Sequence, residues 1–332
     1  MEQGTLNELV LTRSVTKHIR RHTKDMLQGG AVGNDYSAIR LEEDILISAE
    51  GVSNTPRMAW INAMNNFYTS GGIPVGVRIL IMLPESIEEA DIKRFMTEFN
   101  MLADEEHIQI LGGHTQVGKA YTIPSFCVTV SGKAQEYFHN IKDIKAGYQI
   151  VMTKTAGICG TDIIARNCGE TLNNRLSPSY IERGYALTEE FSVKKEAMVA
   201  TSMKDKVYYV HDVSFGGVYG ALWQLGSKLN KGINIYHFDI PIKQETIEFC
   251  EIYNLNPYML LGTGSLLVVT KDGQGLVEEL SKLDIDAAVI GVVTEDKNRV
   301  VALCHKEEDV TLVEKRFLAP VKGDELYKVV SI

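Results

Sequence analysis

A chain of 332 residues has room for two ordinary domains, and 45% hydrophobic with 23% charged residues is a globular composition, not a disordered or fibrous one. The formal net charge of −9 and a pI near 5.5 leave no electrostatic footprint for nucleic acid, so a small, soluble substrate is expected. No apolar run reaches the roughly 18 residues of a membrane span, and the start Met1-Glu2-Gln3-Gly4 leads into a polar, basic stretch without a signal peptide's apolar core. A cytoplasmic protein is expected, with neither nucleic acid nor membrane as partner.

In chain order, Leu6, Leu9, Val10, Val15 and Ile19 predict a helix through the first thirty residues, ended by Gly29-Gly30. After the loop Gly33-Asn34-Asp35 come a strand over 36–41 and its hairpin partner over 44–49. A helix over 58–69, a strand over 75–82, a long amphipathic helix over 87–106 and a strand over 108–111 follow. Gly112-Gly113-His114-Thr115 then reads as a loop, and 122–130 as a strand. The turn-rich segment 140–147 is the predicted boundary, giving domains 1–145 and 146–332. Beyond it the pattern predicts a strand over 148–154, a glycine loop over 156–160 with a helix from Thr161, a helix over 192–203, and a strand over 207–210 ending at His211-Asp212. A helix over 216–229, a strand over 233–238, a helix from Ile240-Pro241 to Tyr253, a strand over 265–270, a helix over 275–283 and strands over 287–293 and 300–304 complete the chain.

Gly113-His114-Thr115-Gln116-Val117-Gly118-Lys119-Ala120 comes within one residue of a phosphate loop. Ala120 lacks the hydroxyl that reaches magnesium, and the residues after it read as a strand where that loop needs a helix N-terminus, so the match is rejected. Gly262-Thr263-Gly264 is too short for a dinucleotide fingerprint and reads as a turn. Cys127, Cys159, Cys168, Cys250 and Cys304 are scattered and never paired as CxxC, which argues against disulfides and zinc; they read as small buried hydrophobes, with Cys159 left open by its glycine-rich surroundings.

The most specific string is His211-Asp212-Val213-Ser214-Phe215-Gly216-Gly217: two ionisable residues and a hydroxyl close a strand, and two glycines then permit close backbone approach before a helix N-terminus suited to an anion. It reads equally as a helix start capped by Asp212 or Ser214. With Ala221-Leu222 and Gly232-Ile233-Asn234-Ile235, the string resembles the H-D-x-T-x-G-G stretch of the aminoimidazole ribonucleotide (AIR) synthetase superfamily. Gly33-Asn34-Asp35-Tyr36-Ser37-Ala38-Ile39, Asn65-Asn66-Phe67-Tyr68-Thr69-Ser70-Gly71-Gly72-Ile73-Pro74 and Leu111-Gly112-Gly113-His114-Thr115 resemble that superfamily's other loops, in order. Lys154-Thr155-Ala156-Gly157-Ile158-Cys159-Gly160-Thr161, Ser192-Val193-Lys194-Lys195-Glu196-Ala197 and Asn256-Pro257 before Gly262-Thr263-Gly264 are similar to the hydrogenase-maturation carbamoyl dehydratase branch and its AIR synthase-related relatives.

The resemblance implies a two-domain α+β fold: a mixed α/β N-terminal domain that builds a shared β-barrel in a homodimer, and a C-terminal α/β domain. It implies ATP and Mg2+ as cofactors and transfer of a phosphoryl group to an amide or carbonyl oxygen, the acceptor being a small molecule or carried by a partner protein. Asp35 and Glu50 would ligate metal, and His211 and Asp212 would be catalytic. Gly33, Asn34, Asn66, Gly112, Gly113, His114, Thr115, Ser214, Gly216 and Gly217 would bind nucleotide. Asn34, Asn66 and His114 stand where acids are usual, and the last cysteine is Cys304 rather than a terminal acceptor. The chain is therefore not expected to dehydrate a carbamoyl group on its own tail, and a catalytically weakened nucleotide-binding or scaffold homodimer working with a partner protein is the alternative.

Overall fold

The computed structural model describes residue 6 and residues 8–19, 23–134, 136 and 139–330. The chain ends and basic residues Arg20 and Arg21 of the sequence reading lie outside them. The chain divides into two compact units, one of His22–Gly30 and Asp35–Tyr137, the other of Met1–Arg21, Ala31–Asn34 and Phe138–Ile332. The division falls before the predicted boundary at 145 because Asn140 donates its amide to Tyr208 and Ile144 is buried in the core of the C-terminal unit.

In place of the long first helix stand a seven-residue helix, α1 (Glu8–Ser14), and a three-residue strand, β1 (Met26–Gln28). Short helices are marginal on their own, and the ladder from Met26 and Gln28 to Ile39 and Ala38 favours a strand there. In the N-terminal unit follow β2 (Ser37–Leu41), β3 (Asp44–Ser53), α2 (Pro56–Tyr68), β4 (Ile73–Leu83), α3 (Glu89–Glu106), β5 (Gln109–Val117) and β6 (Ser125–Ala134). Thr55 caps α2 with Pro56 at its first position, and a Glu88/Asp91 capping box opens α3.

The strands form one sheet in the order β1-β2-β3-β6-β4-β5. Side chains alternate across it: Ile45, Ile47, Ala49, Val128, Val130, Val77, Ile79 and Ile81 are buried with Trp60, Phe67 and Phe99 of the two helices. Ser48, Glu50, Val52, Arg78 and Leu80 stand on the opposite face. Strand β5 continues through Gly112 to Thr115, which the sequence reading had left as a loop. A register shift admits the extra residue Leu111, Gly112 takes φ 132°, and a Cβ on Gly113 would lie 1.8 Å from the Ile79 carbonyl oxygen. This pair of glycines lets an edge strand dock. Gly113→Ala is expected to detach β5 and cost at least about 2 kcal/mol, read as a lower urea midpoint with faster hydrogen exchange along residues 109–117.

The C-terminal unit comprises β7 (Gln149–Thr153), α4 (Ile158–Asn167), α5 (Gly169–Asn173), α6 (Pro178–Ala186), α7 (Lys194–Ser202), β8 (Val207–Val213), α8 (Gly217–Leu229), β9 (Gly232–Tyr236), α9 (Gln244–Tyr253), β10 (Ser265–Thr270), α10 (Gly273–Ser281), β11 (Ala287–Thr294), β12 (Arg299–Ala302) and β13 (Lys315–Phe317). Its sheet runs β13-β12-β9-β11-β7-β10-β8, antiparallel except where β12 meets β9. Val213, Leu267, Ile235 and Ile290 pack with Val218, Leu222 and Leu225 of α8. Helix α4 starts at Ile158 and absorbs Cys159 and Gly160 from the expected glycine loop, because Gly160 meets Leu260 where a Cβ would lie 2.4 Å away. Strand β8 likewise runs on to Val213, so His211 and Asp212 are interior strand residues rather than its end. The α+β, two-unit architecture is as expected.

Candidate functional site

In the N-terminal unit the pairing of Glu50 with Thr129, Arg78 and Gly112 defines one row across the sheet, and Val52, Cys127, Leu80 and His114 the next. Glu50 and His114 thus share the exposed face, with the strands β6 and β4 between them. Crowding by its neighbours raises the Glu50 carboxyl above its ordinary range. Asp35 lies two residues before β2, whose first residue, Ser37, pairs with Ser48 of β3. Asn66 does not join them: it lies on α2, on the buried side of β3, and donates its amide to the Glu50 main-chain carbonyl at 2.9 Å. Thr115 follows His114 in β5 and alternates to the other face. Among the described residues no three His, Cys, Asp or Glu side chains are grouped to hold a metal ion.

In the C-terminal unit the Gly33-Asn34 segment docks on β8 and α8. Tyr209 donates its hydroxyl to the Gly33 carbonyl, and Lys228 donates to the Asn34 side-chain oxygen. A Cβ on Gly33, whose φ is +74°, would sit 3.1 Å from Lys228 and 3.2 Å from the Gln224 carbonyl. His211, 2% exposed, holds Gln224 through Nε2 at 3.0 Å. The predicted glycine loop and the predicted histidine therefore meet on one surface. Gln224, Lys228 and Tyr209 were missed by the sequence reading. Their signal was there: 224 and 228 are one helical turn apart, and 209 and 211 share a strand face.

Asp212 is not part of that cluster. Consecutive strand residues face opposite ways, so Asp212 stands on the other face of β8 from His211. Burial, then Asp162, Asp324 and Asp212, holds the Cys159 thiol well above its ordinary value, which makes it inert and answers the question its sequence context left open. His211 and Asp212, both expected to be catalytic, therefore stand on opposite faces of β8.

The loop before α8 is also self-satisfied. Neither Asp212 nor Ser214 caps the helix: Gly216 takes the cap position at φ 78° without a side-chain cap. Its amide donates to Asp324 at 2.7 Å, while the Ser214 carbonyl accepts from Gly217 and Gly262 at 3.1 Å each. The Gly216 amide expected to receive a phosphate already holds the chain's own carboxylate. Asp324 also accepts from Leu261 at 3.1 Å and Leu326 at 2.9 Å, tying two glycine turns to the tail.

Burial pushes the Asp324 carboxyl up to about 6, against the backbone hydrogen bonds that pull it down. An acid with a higher pKa in the folded than in the unfolded chain keeps its proton on folding, so its contribution to stability is fullest below about pH 4 and falls as pH rises through about 6. The fall amounts to about 3 kcal/mol. Asp324→Asn is expected to flatten the urea midpoint between about pH 4 and about pH 7. An unchanged slope in the variant would place that titration on another group.

The strings around Lys154, Ser192 and Gly264 converge on a lysine. Lys154 Nζ donates to the carbonyls of Glu190, Ser192 and Gly264 at 2.8, 2.7 and 3.0 Å and pairs with Glu196 at 2.6 Å. These residues build the unit rather than face a ligand.

The models of the AIR synthase related protein N-terminal and C-terminal domains match residues 37–134 and 145–303. The chain belongs to the AIR synthase-related family. A protein of Methanocaldococcus jannaschii named for hydrogenase expression and formation is 24% identical over 284 residues, 82% of this chain and 78% of that one. The crystal structure of Escherichia coli HypE, a hydrogenase maturation protein, matches with a TM-score of 0.72 at 20% identity, covering 88% of this chain and 92% of that one. That of a HypE in complex with ATP matches with a TM-score of 0.69 at 14% identity, covering 96% and 95%. These structures share the fold of this chain. No helix among the described residues is long and apolar enough to cross a membrane.

Proposed function

We propose that this AIR synthase-related chain is an ATP-dependent enzyme of the hydrogenase-maturation type, which moves the γ-phosphoryl group of ATP to an amide or carbonyl oxygen. The bond from phosphorus to the ADP oxygen breaks as one to the acceptor oxygen forms, and water or another nucleophile then displaces phosphate. Positioning and charge neutralisation carry such a reaction. The supporting observation is the docking of Gly33-Asn34 on Tyr209, Gln224 and Lys228 beside His211, which brings the first glycine loop to the most specific string of the sequence. Lys228 supplies a positive charge there, and His211, oriented by Gln224, a hydrogen bond to phosphate or acceptor.

Magnesium bound with a triphosphate takes most of its ligands from phosphate and water, with one or two protein carboxylates. Asp35, two residues before β2, and Glu50, on the exposed face of β3, are the carboxylates that would meet that demand and hold the ion, which would neutralise the phosphates. Gly112, Gly113 and Thr115 act through the placement of β5, and His114 through its exposed face. Homodimerisation is part of the proposal: β5 leaves a sheet edge unpaired in the single chain, beside Leu80, Leu111 and Val117, which are 42%, 49% and 50% exposed.

One observation favours a nucleotide-binding scaffold without turnover. The Asn34 side-chain oxygen already accepts from Lys228, and Asn66 is neutral, so neither restores the charge of a missing acid. Calorimetry with ATP, with and without magnesium, beside phosphate release with primary-amide acceptors, separates the two. Magnesium-dependent binding with acceptor-stimulated release is the expected result; binding without release would favour the scaffold, and no binding at millimolar ATP would remove both. Sedimentation at micromolar protein should show a dimer.

A further inference from the structure

Strand β13, which the sequence reading missed, closes a cavity of about 420 Å³ against the start of α8 and the turn at Pro257–Met259. That lies within the range of roughly 300–1,000 Å³ of small-ligand sites. None of the residues assigned above to nucleotide or metal lines it.

Its wall is aromatic. Tyr219 and Tyr258 stack at 5.4 Å with an interplanar angle of 19°, and His237 packs against Tyr258 at 4.6 Å. The Tyr219 hydroxyl and His237 Nδ1 lie 3.0 Å apart, which fixes both rings. Desolvation, then the nearby Arg316, lowers the His237 pKa below its ordinary value, so the imidazole is neutral at pH 7. The guanidinium is therefore the cation that both rings feel. Arg316 is held by Glu314 at 3.1 and 3.2 Å, but these side chains are 68% and 64% exposed, and an exposed pair of neighbours on one strand is readily exchanged.

We propose that this cavity binds a planar aromatic ring system of one or two fused cycles that carries a single anionic group. The rings supply a stacking surface, the volume limits the ligand's size, and the lone guanidinium takes one carboxylate or phosphate in its fork. A multiply charged ligand would leave charge uncompensated there, in a chain whose net charge is already −9.

The test uses the full chain and calorimetry with indole-3-carboxylate, indole-3-carboxamide and cyclohexanecarboxylate. The aromatic acid should bind at least about tenfold more tightly than either analogue, since one lacks the charge and the other a planar aromatic ring. Arg316→Gln should abolish the acid-over-amide preference, and Tyr258→Leu the aromatic-over-aliphatic one. Arg316 is a surface residue, so its variant folds; an unchanged thermal midpoint checks this for Tyr258→Leu, and Met101→Ser, at an exposed position away from the cavity, serves as a neutral control. Absence of saturable binding at millimolar acid, equal affinity for acid and amide, or a preference that survives Arg316→Gln would overturn the proposal. ATP binding is unaffected in either variant, so the cavity and the nucleotide site stand or fall separately.

Discussion

Replacing Lys154 with methionine is expected to cost about 3–5 kcal/mol, measured by urea denaturation, with loss of cooperative folding in the C-terminal unit. The ammonium is 12% exposed and its partner Glu196 is 2% exposed, so removing the amine strands a buried carboxylate and three carbonyls together. Methionine keeps most of the stem volume and the same backbone strain at φ 52°, which isolates the charge from packing. The double variant Lys154→Met, Glu196→Leu is expected to recover a large part of the loss, because replacing both charges removes the desolvation cost as well. A single-variant loss under about 1 kcal/mol would mean that the surrounding turns stand without the lysine.

Periodicity and turn residues carry local information, and they identified most strands and the long helices. They miscarried where a tertiary contact overruled a local signal. Gly112-Gly113 reads as a loop, yet close approach to Ile79 makes it part of a strand. The stretch 156–160 reads as a glycine loop, yet contact with Leu260 draws Cys159 and Gly160 into a helix. For the candidate site, the motif order picked out loops that fall in the family-matched stretches 37–134 and 145–303, apart from Gly33-Asn34-Asp35, which precedes them. Their hydrogen-bond partners were not legible. Nothing near Gly216 in sequence announces Asp324, 108 residues away, as the acceptor of its amide. Lys228 meets Asn34 across 194 residues, a pairing that only the docking of the loop on α8 creates. Orientation was not legible either: His211 and Asp212 are adjacent in sequence, and the strand turns them to opposite faces.

Asp35→Asn is expected to weaken magnesium-dependent ATP binding roughly 10- to 100-fold, or about 1.4–2.8 kcal/mol, and to abolish acceptor-stimulated phosphate release. The size follows from scarcity. With Asn34 engaged by Lys228 and Asn66 turned to the Glu50 main chain, Asp35 and Glu50 are the two carboxylates left for the ion, and the substitution removes half of their charge. Two unit charges about 4 Å apart interact by about 4 kcal/mol at an effective dielectric near 20, and bound phosphate and water reduce this further. The loss should vanish when ATP is titrated with excess chelator, because the carboxylate then has no ion to hold. Asn34→Asp should not raise the magnesium-dependent affinity, since Lys228 would pair with the new carboxylate before a metal could use it. Equal weakening by Asp35→Asn with and without magnesium would make Asp35 a determinant of the loop's shape, leaving Glu50 as the remaining carboxylate for the metal.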